Sequence, residues 1–224
     1  RVAQSQPLPN VPLSQVSIGL ERSACYGSCP SYKVTLRGDG TVTYVGNAFV
    51  DVKGEHHYQI PVAEVARLVD SLAAKDIWSA KDEYQAPITD NPTYTLKLTL
   101  GKHSRTIVDY VGEMVGMPPA ISAFEREIDA AARSEQWINL SAEAVELLDA
   151  EGFDFAGSAG SDLLWRAASN GEGKDDRAIV KLLEHGVRAD VGPPADQFVD
   201  PNASLLDVAG DEADADPSPA AGDE

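Results

Sequence analysis

The two cysteines of this chain lie four residues apart, within the stretch Cys-Tyr-Gly-Ser-Cys-Pro-Ser-Tyr at residues 25–32. Segments in which apolar and polar side chains alternate flank this stretch, with Ile18 and Leu20 before it and Val34 and Leu36 after it. Such alternation predicts half-buried strands. The cysteine stretch therefore connects two neighbouring strands, and it is either a covalent clasp or a chemical site.

A tight hairpin follows the cysteines. Residues 32–37 alternate cleanly, and Gly38-Asp39-Gly40 supplies the positive-φ residues that a tight reversal into residues 41–45 requires. Residues 49–52 and 56–60 are expected to continue the same sheet. Together these segments predict a run of neighbouring antiparallel strands.

Two helices and a second hairpin come next along the chain. Pro61 opens a segment with apolar residues at helical spacing, which is expected to end near Lys75. The polar residues 79–92 predict a loop, and residues 94–110 predict a hairpin. Pro118-Pro119 then opens the second helix.

This order of elements divides the chain into four parts. Grouped strands, rather than strands that alternate with helices, predict an α+β domain at residues 16–138, in which two helices pack against an antiparallel sheet. Residues 1–15 contain three prolines and predict a flexible leader. A short all-α helical segment is expected at residues 139–210, followed by an acidic, disordered tail at residues 211–224.

The first domain resembles a bacterial family known as domain of unknown function 6438. The residues that carry the likeness are Glu21-Arg22, Cys25-x-Gly27-x-Cys29-Pro30-x-Tyr32, Gly38-Asp39-Gly40-Thr41, Thr89-Asp90 and Pro92-Thr93-Tyr94. The likeness covers about residues 16–130. It implies a bacterial origin and an extracytoplasmic context, and it brings with it no assigned activity and no catalytic residue.

The helical segment resembles degenerate ankyrin repeats. Residues 163–171 look like the first helix of a repeat and residues 179–186 like its second, while residues 144–152 and 204–209 look like parts of the units before and after. The motifs are spaced more widely than the regular repeat of about 33 residues. The resemblance implies one complete repeat flanked by two partial ones, and a role in protein binding.

Charge and hydropathy disfavour two kinds of partner, nucleic acid and the membrane. The formal net charge is -18, and residues 189–224 hold ten of the 36 acidic residues and neither Lys nor Arg. Such a surplus repels phosphate backbones and anionic lipid surfaces, so we expect no nucleic-acid partner. No window approaches the run of about 20 apolar residues that spans a bilayer, so we expect no membrane insertion.

Three features favour an extracytoplasmic location, periplasmic or secreted, over the cytoplasmic alternative. The chain begins with Arg1 rather than Met, so we expect an upstream segment such as a signal peptide to have been removed. The proline-containing leader is typical of segments that follow an export signal. An even number of cysteines fits an oxidising compartment.

The cysteine pair supports two hypotheses. The first is an intramolecular disulfide between Cys25 and Cys29. The second is thiol-redox or copper chemistry, because C-x-x-x-C-P is the spacing of the motif in thioredoxin-like copper chaperones and two thiolates with an imidazole suit Cu(I). His56, His57 and His103 are the candidate third ligands, although adjacent residues on a strand, such as the first two, point to opposite faces.

Few other residues suggest chemistry. Asp90 and Asp109 could form an acid and base pair, but Asp90 before Asn91-Pro92 is typical of a turn. The sequence contains no serine nucleophile elbow, phosphate-binding loop or C-x-x-C pair, so we predict no catalytic residue, metal site or cofactor. Trp165 and Arg166 lie on the inner helix of the ankyrin-like unit and are candidates either for a binding surface or for packing.

The sequence therefore leads to two functional hypotheses. The first is an exported, non-enzymatic protein of bacteria that binds another protein through a disulfide-stapled α+β domain and ankyrin-like repeats. The second is a thiol-redox or copper-handling protein that uses Cys25 and Cys29. An oxidised, buried cysteine pair would support the first hypothesis, and an exposed, reduced pair beside a histidine would support the second.

Overall fold

The computed structural model of the chain describes residues 6–169, 175–190 and 192–194. The chain divides into two compact units, Arg1–Ile138 and Asn139–Glu224. The first unit contains the sheet and three α-helices, and the second unit contains further helices.

The first unit is built on a seven-stranded sheet. Its strands are β1 (Val16–Arg22), β2 (Ser31–Arg37), β3 (Thr41–Ala48), β4 (Gly54–Gln59), β5 (Glu83–Gln85), β6 (Tyr94–Leu100) and β7 (His103–Tyr110). They lie in the order β4-β3-β2-β1-β6-β7-β5. Neighbouring strands run antiparallel except β5 and β7, which are parallel. The strand that comes first in the chain therefore lies in the middle of the sheet.

Helices cover one face of this sheet. The helices of the unit are α1 (Val62–Ala74), α2 (Pro119–Ala132) and α3 (Glu135–Ile138), with short 3-10 helices at Leu13–Gln15, Ile77–Ser79 and Gly112–Val115. Pro61 and Pro118 stand immediately before α1 and α2, where a missing N–H is harmless. Helix α2 contacts α1, β1 and β2. The α+β fold class predicted from the sequence is confirmed.

The alternation in the sequence corresponds to the two faces of the sheet. In β2, Tyr32, Val34 and Leu36 are buried, whereas the residues between them are only half-buried. The hairpin after β2 also forms as predicted, because Gly40 adopts a φ of +85° and its N–H donates to the carbonyl oxygen of Arg37 over 2.9 Å. A side chain at Gly40 would meet the Ile60 carbonyl oxygen at 2.4 Å, so glycine is required there.

Residues 49–52 are not a strand, contrary to the prediction from their apolar pattern. The chain leaves the sheet after β3, and the N–H groups of Asp51 and Val52 donate to the carbonyl oxygens of Ile138 and Trp137 over 2.9 and 3.1 Å. Val50 and Val52 are buried even so. Their apolar pattern reflects burial beside α3 and not a place in the strand ladder.

Residues 79–92 are not entirely a loop, contrary to the prediction, because they contain the short strand β5. Arg105 of β7 holds the preceding segment, because its guanidinium donates to the carbonyl oxygens of Trp78 and Ala80, each over 2.6 Å. Tyr84 in the centre of β5 is buried. A strand of three residues with one buried side chain has too short a pattern to be recognised from sequence.

Part of the predicted leader lies against the domain. The N–H of Gln6 donates to Ser79 Oγ over 2.6 Å, and the carbonyl oxygen of Gln15 accepts from the N–H of Gly101 over 3.0 Å. At the adjacent turn, Gly38 lies so close to Leu13 that a side chain there would meet the Leu13 carbonyl oxygen at 1.6 Å. Gln6, Leu13 and Gln15 thus contact the domain, and the flexibility predicted for the leader stays a prediction.

The second unit is helical. Its described helices are α4 (Ala142–Ala150), α5 (Ser158–Ser169) and α6 (Asp176–Glu184), and α6 contacts both α4 and α5. Asp175 caps α6 by accepting from the N–H of Arg177 over 3.1 Å, and it also accepts from the N–H of Ala142 over 3.1 Å. Helices α5 and α6 occupy the ankyrin-like segments, residues 204–209 lie outside the described residues, and the ankyrin resemblance itself stays a prediction.

The length and hydropathy of the helices bear on membrane insertion. Of the helices in the described part of the chain, none combines the length and the apolar character that crossing a bilayer requires.

Candidate functional site

A row of polar side chains crosses the sheet at the end nearest the cysteines. Arg22, the last residue of β1, pairs with Tyr32 of β2 and with Tyr94 of β6, and Tyr94 pairs in turn with Asp109 of β7. Directly paired residues project from the same face of a sheet, so these four side chains share one face. We call these four residues the polar row.

The polar row lies beside an apolar core. Two residues from the row, towards the middle of each strand, the same face of the sheet carries four completely buried side chains, those of Leu20, Val34, Leu96 and Ile107. Helix α2, which contacts β1 and β2, brings Asp129 and Glu125 to the row. The row is therefore a polar boundary of the core beneath α2.

Asp129 of α2 binds two members of the polar row at once. Its Oδ2 accepts from Arg22 Nε over 2.9 Å and from Arg22 Nη2 over 2.5 Å, and its Oδ1 accepts from the Tyr32 hydroxyl over 2.8 Å. The Arg22 guanidinium also lies 4.0 Å from the centre of the Tyr94 ring, in a cation–π contact. Both carboxylate oxygens of Asp129 thus accept hydrogen bonds. Through them, the paired residues Arg22 of β1 and Tyr32 of β2 bind α2 to the sheet.

The protonation states follow from this arrangement. Burial acts to lower the pKa of Arg22, but the charges and hydrogen bonds around it, chiefly from Asp129, outweigh this and raise its pKa. Burial and then the charge of Asp129 raise the pKa of Tyr32. Arg22 therefore stays charged, and the Tyr32 hydroxyl keeps the proton that it donates to Asp129.

Two buried carboxyl groups lie beside this contact. Glu125, one helical turn before Asp129, is only 2% exposed, and among the described residues its Oε1 finds no hydrogen-bond partner. Burial, followed by the charge of Asp109, raises its pKa to about 8, against the opposing effect of Arg22. Burial also raises the pKa of Asp109, whose Oδ1 accepts from the N–H of Gly112 over 2.7 Å. Glu125 is thus mostly protonated at neutral pH.

The disulfide predicted from the sequence is present. Cys25 and Cys29 are bonded, with their Cα atoms 5.5 Å apart, in the connection between β1 and β2. Both residues are half-buried, whereas Tyr26 between them is 87% exposed. The N–H of Tyr26 donates to the carbonyl oxygen of Asp90 over 3.2 Å, and that of Ser23 to the carbonyl oxygen of Thr93 over 2.9 Å. The cysteine loop is therefore tied to the loop before β6.

A third segment joins the same end of the sheet. The main chain of Tyr110 accepts from the N–H of Ala86 over 2.9 Å, and the Tyr110 hydroxyl accepts from the N–H of Asn91 over 3.4 Å. Val111 follows with a φ of +50°, a conformation that is strained for a β-branched residue. We call residues 23–30, 86–93 and 111–117 together the loop end.

The loop end carries exposed apolar side chains and strained backbone. Tyr26, Ile88, Met114 and Val115 are 87%, 37%, 66% and 40% exposed. Asp90 has a φ of +72° and so, like Val111, lies in the left-handed region although it is not a glycine. Such strained positions persist where the surrounding structure enforces them, and they are common at functional sites.

The histidines do not gather at the cysteines. His56 is buried and stacks on Trp137 with 5.0 Å between ring centres, while His57 is exposed and its Nε2 lies 3.0 Å from Glu55. His103 begins β7, at the end of the sheet opposite the polar row. Within residues 6–169, 175–190 and 192–194, no group of three His, Cys, Asp or Glu residues could hold a metal ion.

The two aspartates considered from sequence occupy different environments. Asp90 is exposed in its loop, where its Oδ2 accepts from the Thr89 hydroxyl over 3.0 Å, whereas Asp109 is buried in the polar row. Glu125 and Asp129 were not recognised from the sequence, and Arg22 was recognised only as part of the family likeness and not as a site residue. One signal was available, because Glu125 lies on the apolar stripe of α2 that Ile121 and Ile128 define.

The two candidate binding residues of the second unit also differ in exposure. Trp165 is 0% exposed, so its side chain is not a surface contact as it stands. Arg166 is half-buried and keeps part of its surface. A role for Arg166 in binding stays a prediction, and the burial of Trp165 favours the packing role.

Comparison with known proteins bears on the first unit. A search of curated proteins finds no match to the chain. The family model described as "Domain of unknown function (DUF6438)" matches residues 16–132, which include all seven strands as well as α1 and α2. Because the matched residues make up more than half of the sequence, the chain belongs to this family.

Proposed function

We propose that this chain is a non-enzymatic recognition protein whose α+β domain binds another protein through the loop end. The observation that carries the proposal is Tyr26, a large aromatic side chain that is 87% exposed at the tip of a disulfide-closed loop. Tyrosine is one of the residues that most often anchor protein interfaces. A loop held by a covalent bond loses little conformational freedom on binding, which favours affinity.

The surroundings of Tyr26 support a protein partner. Ile88, Met114 and Val115 add exposed apolar surface to the same set of loops, and exposed apolar groups with a polar rim are typical of binding surfaces. The net charge of -18 disfavours nucleic acid and anionic membranes. The chemistry that fits is an apolar pocket on a protein with neutral or basic surroundings.

The second unit is proposed to extend this recognition. If α5 and α6 form an ankyrin-like pair, they belong to a class of structure that stacks helices to build binding surfaces. Val180 and Leu183 of α6 are 54% and 46% exposed and are candidates for such a surface, together with the partly exposed Arg166. An extracytoplasmic location is part of the proposal, because disulfides persist in oxidising compartments.

Site-specific crosslinking in the full chain tests the proposal. A photoreactive phenylalanine analogue would replace Tyr26, Met114 or, as a matched control, Val62, which is 46% exposed at the start of α1. We expect one protein from an extract of the source bacterium to crosslink at the first two positions and not at the control. The Tyr26→Ala variant should no longer recover that protein.

Two results would contradict the proposal. Crosslinking that is the same from all three positions, or absent from all of them, would show that the loop end has no partner of its own. Stoichiometric binding of Cu(I) by the reduced protein would instead favour the copper-handling alternative, since two thiolates are suitable ligands for that ion.

A further inference from the structure

The disulfide encloses the residue pair that holds α2. Arg22 and Tyr32 are the last paired residues of β1 and β2. Cys25 follows Arg22 by three positions, and Cys29 precedes Tyr32 by three. The covalent bond therefore closes the connection symmetrically, immediately beyond the point where the two strands stop pairing.

Both members of that pair bind the same carboxylate. Arg22 and Tyr32 donate three hydrogen bonds, at 2.9, 2.5 and 2.8 Å, to the two oxygens of Asp129. The side chains of Arg22 and Asp129 are only 14% and 21% exposed, so water screens their charges weakly. Both donors reach the same carboxylate because the register of β1 and β2 places Arg22 directly beside Tyr32.

Hydrogen bonds to the loop before β6 restrain the first half of the connection between β1 and β2. The N–H groups of Ser23 and Tyr26 donate to Thr93 and Asp90, and the Ser23 hydroxyl accepts from the N–H of Thr93 over 2.8 Å. The disulfide ties the second half to this anchored part. Tyr26, Gly27 and Ser28 are exposed and both cysteines are half-buried, so a thiol reagent can reach the bond.

We propose that the Cys25–Cys29 disulfide is a redox-sensitive clasp that controls how firmly α2 docks on the sheet. The reductant is a dithiol, either small or carried by a protein. One of its thiolates attacks one cysteine sulfur, which breaks the Cys25–Cys29 bond, releases the other cysteine as a thiolate and leaves a mixed disulfide. The second thiol of the reductant then attacks the reductant's own sulfur in that mixed disulfide and displaces the first cysteine. Two electrons and two protons pass to the chain, which then holds two thiols, and the reductant leaves as a disulfide.

Opening the clasp frees residues 27–30 and, with them, the start of β2 at Ser31. Tyr32 then loses its fixed position beside Arg22, and the hold on Asp129 weakens. By thermodynamic linkage, the effect must be reciprocal: a change that removes the Asp129 contact must make the disulfide easier to reduce. This proposal does not depend on whether the loop end binds a partner.

The test is a redox titration of the full chain. The wild type, Asp129→Asn and Glu127→Gln would be equilibrated with the same mixture of reduced and oxidised dithiothreitol, and the ratio of disulfide to dithiol form read by thiol alkylation and mass spectrometry. Glu127 is the matched control because it lies on α2 but pairs with Lys75 of the neighbouring connection. We expect the ratio to fall at least about fivefold for Asp129→Asn and to stay unchanged for Glu127→Gln.

A milder variant and a second measurement keep the test decisive. Tyr32→Phe removes one of the three hydrogen bonds to Asp129 and should shift the ratio in the same direction by a smaller factor. Reduction of the wild type should speed amide hydrogen exchange in α2 more than at the β6–β7 turn, at the opposite end of the sheet. An unchanged ratio in both Asp129→Asn and Tyr32→Phe, or exchange that rises equally throughout the sheet, would overturn the proposal.

Discussion

Replacing Glu125 with glutamine should change how the stability of the domain depends on pH. The carboxyl group is 2% exposed, and burial, followed by the charge of Asp109, raises its pKa from 4.5 to about 8. Each pKa unit corresponds to about 1.4 kcal/mol, so the ionised group costs the folded state up to about 5 kcal/mol. The Glu125→Gln variant cannot ionise and escapes this cost.

The direction of the effect follows from the raised pKa. The folded state holds the Glu125 proton more tightly than the unfolded state does. Below pH 4.5, the pKa of the group in the unfolded chain, Glu125 is protonated in both states and does not lower the stability of the domain. The cost grows as the pH rises from there and is complete above about pH 8. The stability of the variant minus that of the wild type should therefore increase steadily across this window.

Urea unfolding at a series of pH values measures that difference. Glu127→Gln is the matched control, because Glu127 is half-exposed on the same helix. Burial acts to raise its pKa, but the hydrogen bonds from Lys75 and Ser71 outweigh burial and lower the pKa, so Glu127 is ionised at neutral pH. Its difference from the wild type should not vary between about pH 6 and pH 9. A Glu125→Gln difference that is equally flat from about pH 5 to pH 9 would refute a buried, protonated Glu125.

Three further substitutions test the packing around the polar row, each by urea unfolding of the full chain. Asp129→Ala should cost about 3 kcal/mol, because it leaves the partly buried Arg22 without its carboxylate, and a loss below about 1 kcal/mol would contradict the importance of that contact. Gly112→Ala should cost about 1 to 3 kcal/mol, because a Cβ there would meet Tyr84 Cβ at 2.7 Å; an unchanged midpoint would show that this close approach is easily relieved. Tyr44→Phe should be neutral or stabilise by about 1 kcal/mol, since the Tyr44 hydroxyl is buried with no hydrogen-bond partner among the described residues, and a clear loss would show that the hydroxyl is satisfied in solution.

The strands that alternate over six or more residues could be predicted from the sequence, because each of their buried faces repeats every second residue. Alternation was misleading at residues 49–52, where Val50 and Val52 are buried although the backbone bonds to Trp137 and Ile138 and not to a neighbouring strand. It also missed β5, whose partner β7 comes about 20 residues later in the chain and runs parallel to it. Alternation reports burial, and only tertiary contacts decide which backbone groups pair.

The candidate site was half visible in the sequence. The cysteine pair could be recognised as a clasp because both residues lie in one short stretch. The polar row could not, since Arg22, Tyr94 and Asp109 come from distant segments and meet only through strand register. Glu125 on an apolar helix stripe was the one local sign of a buried polar site.

The central place of β1 has a consequence for biosynthesis. Its partner on one side, β2, is made soon after it, but its partner on the other side, β6, is complete only at Leu100. Until then, one edge of the strand offers unpaired backbone groups to any other extended chain. We therefore expect fragments that stop before Leu100 to aggregate or to exchange strands with one another, whereas fragments that extend through α2 should remain monomeric.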